Sequence, residues 1–141
     1  MTRTVLVPVD IEHPESWTGP RTALQDLFPA DKADVHALYV LPAFGSSLVG
    51  SFFPKNFEER ALDQARERLR DVVETLPESP MPALHVVHGD VYREILAAGE
   101  RLKADMIVLK AHRPGAEDFF LGSNAARIAR HARQSVLLLR D

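Results

Sequence analysis

A glycine, two small hydrogen-bonding side chains and the start of a helical pattern meet at Leu121-Gly122-Ser123-Asn124-Ala125-Ala126-Arg127, and that combination can seat an anion. The first N–H groups of a helix have no partners inside it and carry the positive end of its dipole. Gly122 lets a phosphate come close to the backbone, while the Ser123 hydroxyl and the Asn124 amide add short-range donors. Ser123 or Asn124 serving only as a helix cap is the alternative that these residues leave open. The order of the surrounding elements tips the balance.

Other chemistries find less support. Neither G-x-x-x-x-G-K-[ST] nor G-x-G-x-x-G occurs, which disfavours P-loop and Rossmann nucleotide sites. With no cysteine, disulfides, thiolate metal sites and cysteine nucleophiles are excluded. The six histidines show no metal-ligand spacing on one element, and His36 and His85 read as strand residues packed beside polar partners. Glu117 and Asp118 are loop acids, and no paired-carboxylate arrangement can be read. Arg127, Arg130, His131 and Arg133 read as a solvated face, because the formal net charge of -3 argues against a nucleic-acid partner.

The 141 residues fit a single domain spanning 1–141. A charged fraction of 26% and a hydrophobic fraction of 45% describe an ordinary soluble globular chain. The first ten residues lack the apolar core and cleavage site of a signal peptide, and no run approaches the ~20 apolar residues that span a bilayer. A cytoplasmic location without membrane insertion is therefore expected.

Five strand-length apolar runs cover residues 4–9, 35–40, 84–87, 106–109 and 135–139. They lack clean alternation, as expected of strands covered on both faces of a parallel sheet. Between them lie helical patterns. Pro20 is suited to the first turn of a helix through Phe28 whose inward stripe is Leu24, Leu27 and Phe28. From 57 to 76 the spacing of Phe57, Ala61, Leu62, Ala65, Leu69, Val72, Val73 and Leu76 is strongly helical, with Glu and Arg opposite. A third helix is expected over about 92–102, using Ile95, Leu96 and Leu102, and a fourth from Ser123 or Asn124 to about Arg133. Residues 41–55 form the one long connection, a lid, a partner contact or a disordered excursion.

Alternating strands and helices with right-handed crossovers predict an α/β doubly wound sheet of five parallel strands, helices on both faces. The expected order is 3-2-1-4-5, which creates a switch point between strands 1 and 4. Ligands of such sheets bind outside the carboxyl ends of the strands there. That rule selects Asp10, the 39–42 strand end with Val40, His88-Gly89-Asp90, and the basic cluster Lys110, His112 and Arg113, together with Gly122-Ser123-Asn124. Asp10 is suited to a ribose or adenine, or else to capping its own turn. Gly89 marks a turn and can also bring N–H groups toward a sugar.

The opening Thr4-Val5-Leu6-Val7-Pro8-Val9-Asp10, the His88-Gly89-Asp90 turn with Glu94-Ile95-Leu96, and the tail from Met106 through Leu121-Gly122-Ser123-Asn124-Ala125-Ala126 to Leu139 resemble the universal stress protein A-like family. The resemblance covers essentially the whole chain. His112-Arg113-Pro114 and Arg130-His131-Ala132 are most similar to the short, single-domain F and G type bacterial members. ATP-binding members carry G-x2-G-x9-G-[ST], of which Gly122-Ser123 is present here. Lys110 and Arg113, or Leu109 and His112, stand near the first two glycines. The resemblance implies a cytoplasmic stress-response module, commonly dimeric, that binds an adenine nucleotide (ATP, ADP or AMP), with Mg2+ as an accompanying ion. Site residues are then Asp10, Val40, Gly89, Lys110, His112, Arg113, Gly122, Ser123 and Asn124. No residue is assigned to catalysis; slow ATP hydrolysis or self-modification is the most that would be expected. The alternative is a dimeric interaction protein that binds no nucleotide, with an unidentified protein partner. In either case the apolar last strand, Ser135–Leu139, is an edge that invites pairing in a homodimer.

Overall fold

The computed structural model describes residues 2–29, 31–42, 57–74, 81–111 and 122–140. The five apolar runs form strands β1 (Arg3–Pro8), β2 (Ala33–Pro42), β3 (Ala83–Gly89), β4 (Met106–Lys110) and β5 (Ser135–Leu139). They make one all-parallel sheet in the order β3-β2-β1-β4-β5. The intervening helices are α1 (Glu15–Leu27), α2 (Phe57–Val73), α3 (Val91–Arg101) and α4 (Gly122–His131).

Because successive strand side chains point to opposite faces, each strand feeds two cores. On one face Val5, Val7, Val9, Val35, Ala37, Tyr39 and Val108 pack with Trp17 and Leu24 of α1 and with Ala65, Leu69, Val72 and Val73 of α2. On the other, Leu6, Leu38, Val40, Ile107 and Leu109 pack with Ile95 and Ala98 of α3 and with Ala125 and Ile128 of α4. This double covering explains why the strands read as unbroken apolar runs.

The first helix departs from the sequence expectation. It begins at Glu15, behind Pro14, and Pro20 lies inside it rather than in its first turn. The start is fixed by tertiary contacts: Ser16, fully buried, accepts the Asp10 N–H through Oγ at 2.8 Å and lies 2.7 Å from the His13 carbonyl, to which its hydroxyl donates. Leu27, placed by its spacing in the inward stripe, is 57% exposed, while Trp17 takes the large inward position one turn from the start. The second helix matches its expected stripe up to Val73, and residues 75–76 lie outside the described residues. The fourth ends at His131, two residues before the expected Arg133.

Arg21 is buried on α1 beside this core. Its Nε has no hydrogen-bond partner, and burial pushes its guanidinium below the ordinary value. No ion pair to it is formed among the described residues. The buried Nε is thus desolvated without a compensating bond, so removing it sacrifices no partner among the described residues. Arg21→Met, which keeps the aliphatic stem, should raise the unfolding free energy by about 1–3 kcal/mol in urea titration. A loss of stability would show that the guanidinium is compensated.

Candidate functional site

Pairing is shortest between the central strand β1 and its neighbour β4. β1 pairs with β2 along six positions, from Arg3–Ala33 to Pro8–Leu38, and β4 with β5 along five. Between β1 and β4 the paired register covers Val5–Met106 and Leu6–Ile107. Beyond those pairs no ladder position joins β1 to β4 among the described residues, and their carboxyl ends lie where the strand order reverses, the place at which such sheets carry a ligand crevice.

On its β2 side the crevice meets a backbone edge. In a parallel ladder the N–H and C=O of one residue point to the same neighbouring strand, and consecutive residues alternate. The Leu38 carbonyl accepts the Val9 N–H at 2.7 Å, so Leu38 faces β1, Tyr39 faces β3 and Val40 faces β1 again. The chain has by then turned away at Asp10, and no backbone hydrogen bond joins it to Val40 among the described residues. The Val40 side chain is buried in the second core, so its contribution to the crevice is this donor and acceptor pair.

Asp10 follows directly after β1 and is 3% exposed. Its Oδ1 accepts the Glu12 N–H at 3.0 Å, closing an Asx turn, and a bridge to His13 holds the loop against the start of α1. The capping role expected as one alternative is therefore present. It also fixes the position of the carboxylate at the carboxyl end of β1. Glu12, next along the loop, pairs with Arg68 of α2 at 2.6 Å. Both side chains are more than half exposed, so the pair contributes at most about 1 kcal/mol and acts mainly to orient the loop. Behind this loop burial raises the Tyr39 phenol above its ordinary value, with the Asp10 and then the Glu12 charge adding to the effect against Arg68. The phenol therefore stays protonated at neutral pH.

Gly89 ends β3 at φ 150°, a conformation that L side chains rarely adopt, and a Cβ there would lie 2.9 Å from Glu94 Oε1. Asp90 then caps α3, its Oδ2 accepting the Arg93 N–H at 3.1 Å. These contacts establish the expected turn. Lys110 ends β4, and its stem runs along α1: a Cβ on Gly19 would lie 4.0 Å from Lys110 Cδ. The Lys110 stem is thus on the sheet face opposite α4.

α4 begins at Gly122, with Ser123 and Asn124 in its first turn. Each helix runs antiparallel to the strands it connects, which brings the amino end of α4 to the same end of the sheet as Asp10, Val40 and Gly89. Ala125 and Ile128, both buried, anchor that first turn on the second core. His112 and Arg113 lie outside the described residues. Sequence reasoning did not single out Ser16, Glu12 or Arg68. Ser16 carries a local signal, since Pro14-Glu15-Ser16 combines a proline with an acid at a helix start; the Glu12–Arg68 pair has none, because 56 residues separate its members.

A five-stranded parallel sheet of this order, with helices on both faces, defines a doubly wound α/β protein. The chain belongs to the universal stress protein family, whose model matches residues 1–140. It is 33% identical over 144 residues to universal stress protein G of Escherichia coli O157:H7, covering 99% of this chain and 100% of that one. To the Salmonella typhimurium protein of the same name it is 32% identical over 143 residues, again with coverage of 99% and 100%. Among solved structures the hypothetical protein MJ0577 superposes with a TM-score of 0.76 at 17% identity, covering 100% of this chain and 97% of that one. A universal stress protein in complex with cAMP gives a TM-score of 0.57 at 20% identity, with 99% and 97% covered. An Arabidopsis thaliana family member with AMP bound gives 0.61 at 17% identity, with 98% and 91% covered. These similarities show the shared fold.

Proposed function

We propose that this chain is a cytoplasmic stress-response regulatory module that binds an adenine nucleotide at the carboxyl ends of β1 and β4. The observation that carries the reading is the early end of β1–β4 pairing there, with the Val40 backbone edge on one side and the first turn of α4 at the same end. An adenine ring offers a donor and an acceptor side by side, which suits the N–H and C=O of a single strand residue. Asp10 would accept from ribose hydroxyls, and the N–H groups of Gly122, Ser123 and Asn124 would take the phosphates. The cAMP and AMP complexes of proteins with the same fold support an adenine ligand. Gly89 would shape the far wall. His112 and Arg113 would supply positive charge near the places where ATP-binding members have glycines, replacing backbone contacts by charge-assisted ones, while Lys110, with its stem along α1, would add only longer-range attraction. Mg2+, with ATP as the ligand, would be carried by the phosphates. The test is mass spectrometry of small molecules released from freshly purified protein, followed by calorimetry with ATP and ADP. Release of an adenine nucleotide and saturable binding are expected; flat titrations at millimolar nucleotide would overturn the reading and favour an interaction module.

The same proposal includes a homodimer. β5 is an edge strand of the sheet, and Val136, Leu137, Leu138 and Leu139 are only partly buried. An apolar edge without Lys or Pro lacks the usual protection against pairing, and a two-fold axis beside it would close the pair. Sedimentation at micromolar concentration should give twice the chain mass. A monomer there would reject the interface.

A further inference from the structure

His36 and His85, on neighbouring strands, form a polar contact on the α3 face of the sheet, away from the crevice. His36 Nδ1 lies 2.9 Å from His85 Nε2, and His36 Nε2 lies 3.1 Å from Asp34 Oδ2. The ring centroids are 5.1 Å apart with planes inclined by 24°. That separation exceeds the nitrogen distance by about two ring radii, so the joined nitrogens lie close to the line between the centroids and the hydrogen bond is nearly straight.

The carboxylate of Asp34 can only accept, so Nε2 of His36 carries a proton. With both rings neutral, His36 Nδ1 is then an acceptor and His85 Nε2–H donates to it. One added proton, taken up at His85 Nδ1, keeps the bond: His85 Nε2–H goes on donating, or its proton passes to His36 Nδ1 and the direction reverses, with His85 Nε2 now accepting. Protons on both rings set N–H against N–H and destroy it. The relay thus has room for one added proton. We propose that Asp34, His36 and His85 form a one-proton device that ties edge strand β3 to β2 near neutral pH and loosens that edge on acidification.

The surroundings agree in sign. Burial holds His85 below its ordinary value, and the charges of His36, of Arg101 at the end of α3 and of Arg66 on α2 push the same way. Arg66 also donates to the Leu84 carbonyl at 3.3 Å, and Asp34 is the acid in contact with the pair. As pH falls through the unfolded value of about 6.5, the unfolded chain takes up a proton that folded His85 resists. The contribution is therefore fully present above 6.5 and is lost as pH falls toward the folded value. Each pH unit of depression corresponds to about a tenfold greater acid-induced opening.

Hydrogen exchange of the β3 amides, corrected for intrinsic rates and referred to β4, should measure this between pH 7.5 and pH 5. Opening of β3 should increase relative to β4 in the wild type. In His85→Gln, whose amide can donate to His36 Nδ1 without titrating, that relative increase should be largely lost. Equal acid dependence in the two proteins would overturn the proposal. If the variant does not fold, NMR titration of the wild-type rings decides: coupled titration with His85 displaced to lower pH supports the device, and two independent titrations at ordinary values reject it.

Discussion

Replacing Gly122 by valine should lower nucleotide affinity by about 100-fold or more, close to 2.7 kcal/mol, in calorimetry with ATP. A phosphate at the start of a helix needs van der Waals access to the N–H groups, and a branched side chain at the first helical position occupies that approach. Backbone strain would not explain the loss, because Gly122 lies within α4, in a conformation open to any L residue. In this it differs from Gly89, whose φ of 150° penalises every side chain. Helix propensity even favours valine slightly over glycine. Thermal stability of Gly122→Val should accordingly stay near the wild type while binding disappears. Ser123→Ala makes the contrast, since one neutral hydrogen bond is worth about 0.5–1.5 kcal/mol and its loss should weaken binding only severalfold. Undiminished ATP binding by Gly122→Val would move the phosphates away from α4.

The largest effect on stability is expected at Trp17. This side chain is 1% exposed, the bulkiest of the fully buried residues, and sits where α1 meets β1 and β4. Truncation to alanine should cost about 3–5 kcal/mol in urea unfolding, a large share of the 5–15 kcal/mol typical of a domain. The indole Nε1 has no hydrogen-bond partner among the described residues, so Trp17→Phe forfeits no bond there and leaves a smaller cavity. Most of the stability should then remain. A cost below about 1 kcal/mol for Trp17→Ala would mean that α1 is not anchored through this residue. The loss should also reach the ligand, because the same helix start holds Asp10 through Ser16.

How legible all this was in the sequence depends on the range of the interaction concerned. The β-branched runs marked all five strands, and the periodicity of Leu69, Val72 and Val73 marked α2, because these signals reside in neighbouring residues. The alternation of elements gave an all-parallel sheet, which places Asp10 and Gly122 at one end of it, while the order 3-2-1-4-5 was the one that creates a switch point between strands 1 and 4. At α1 local rules gave a wrong start. Pro20 satisfied the preference for an early helical proline, yet Pro14, Glu15 and the bonds of Ser16 to the Asp10 loop set the helix five residues earlier. A helix that starts at Pro20 puts Leu27 inward and leaves Trp17 outside it, whereas the observed helix exposes Leu27 and buries Trp17.

The sequence by itself determined the element types, the doubly wound class and the residues available for the carboxyl-end crevice, since composition and period act within a few residues of the chain. Only the tertiary structure decided where β1 and β4 stop pairing, which face of β2 presents the Val40 backbone, and that His36 meets His85 across 49 residues of sequence. Those are matters of register between strands. Register is fixed by the summed packing of both cores rather than by any local preference, because a slip of one residue would turn every side chain to the other face.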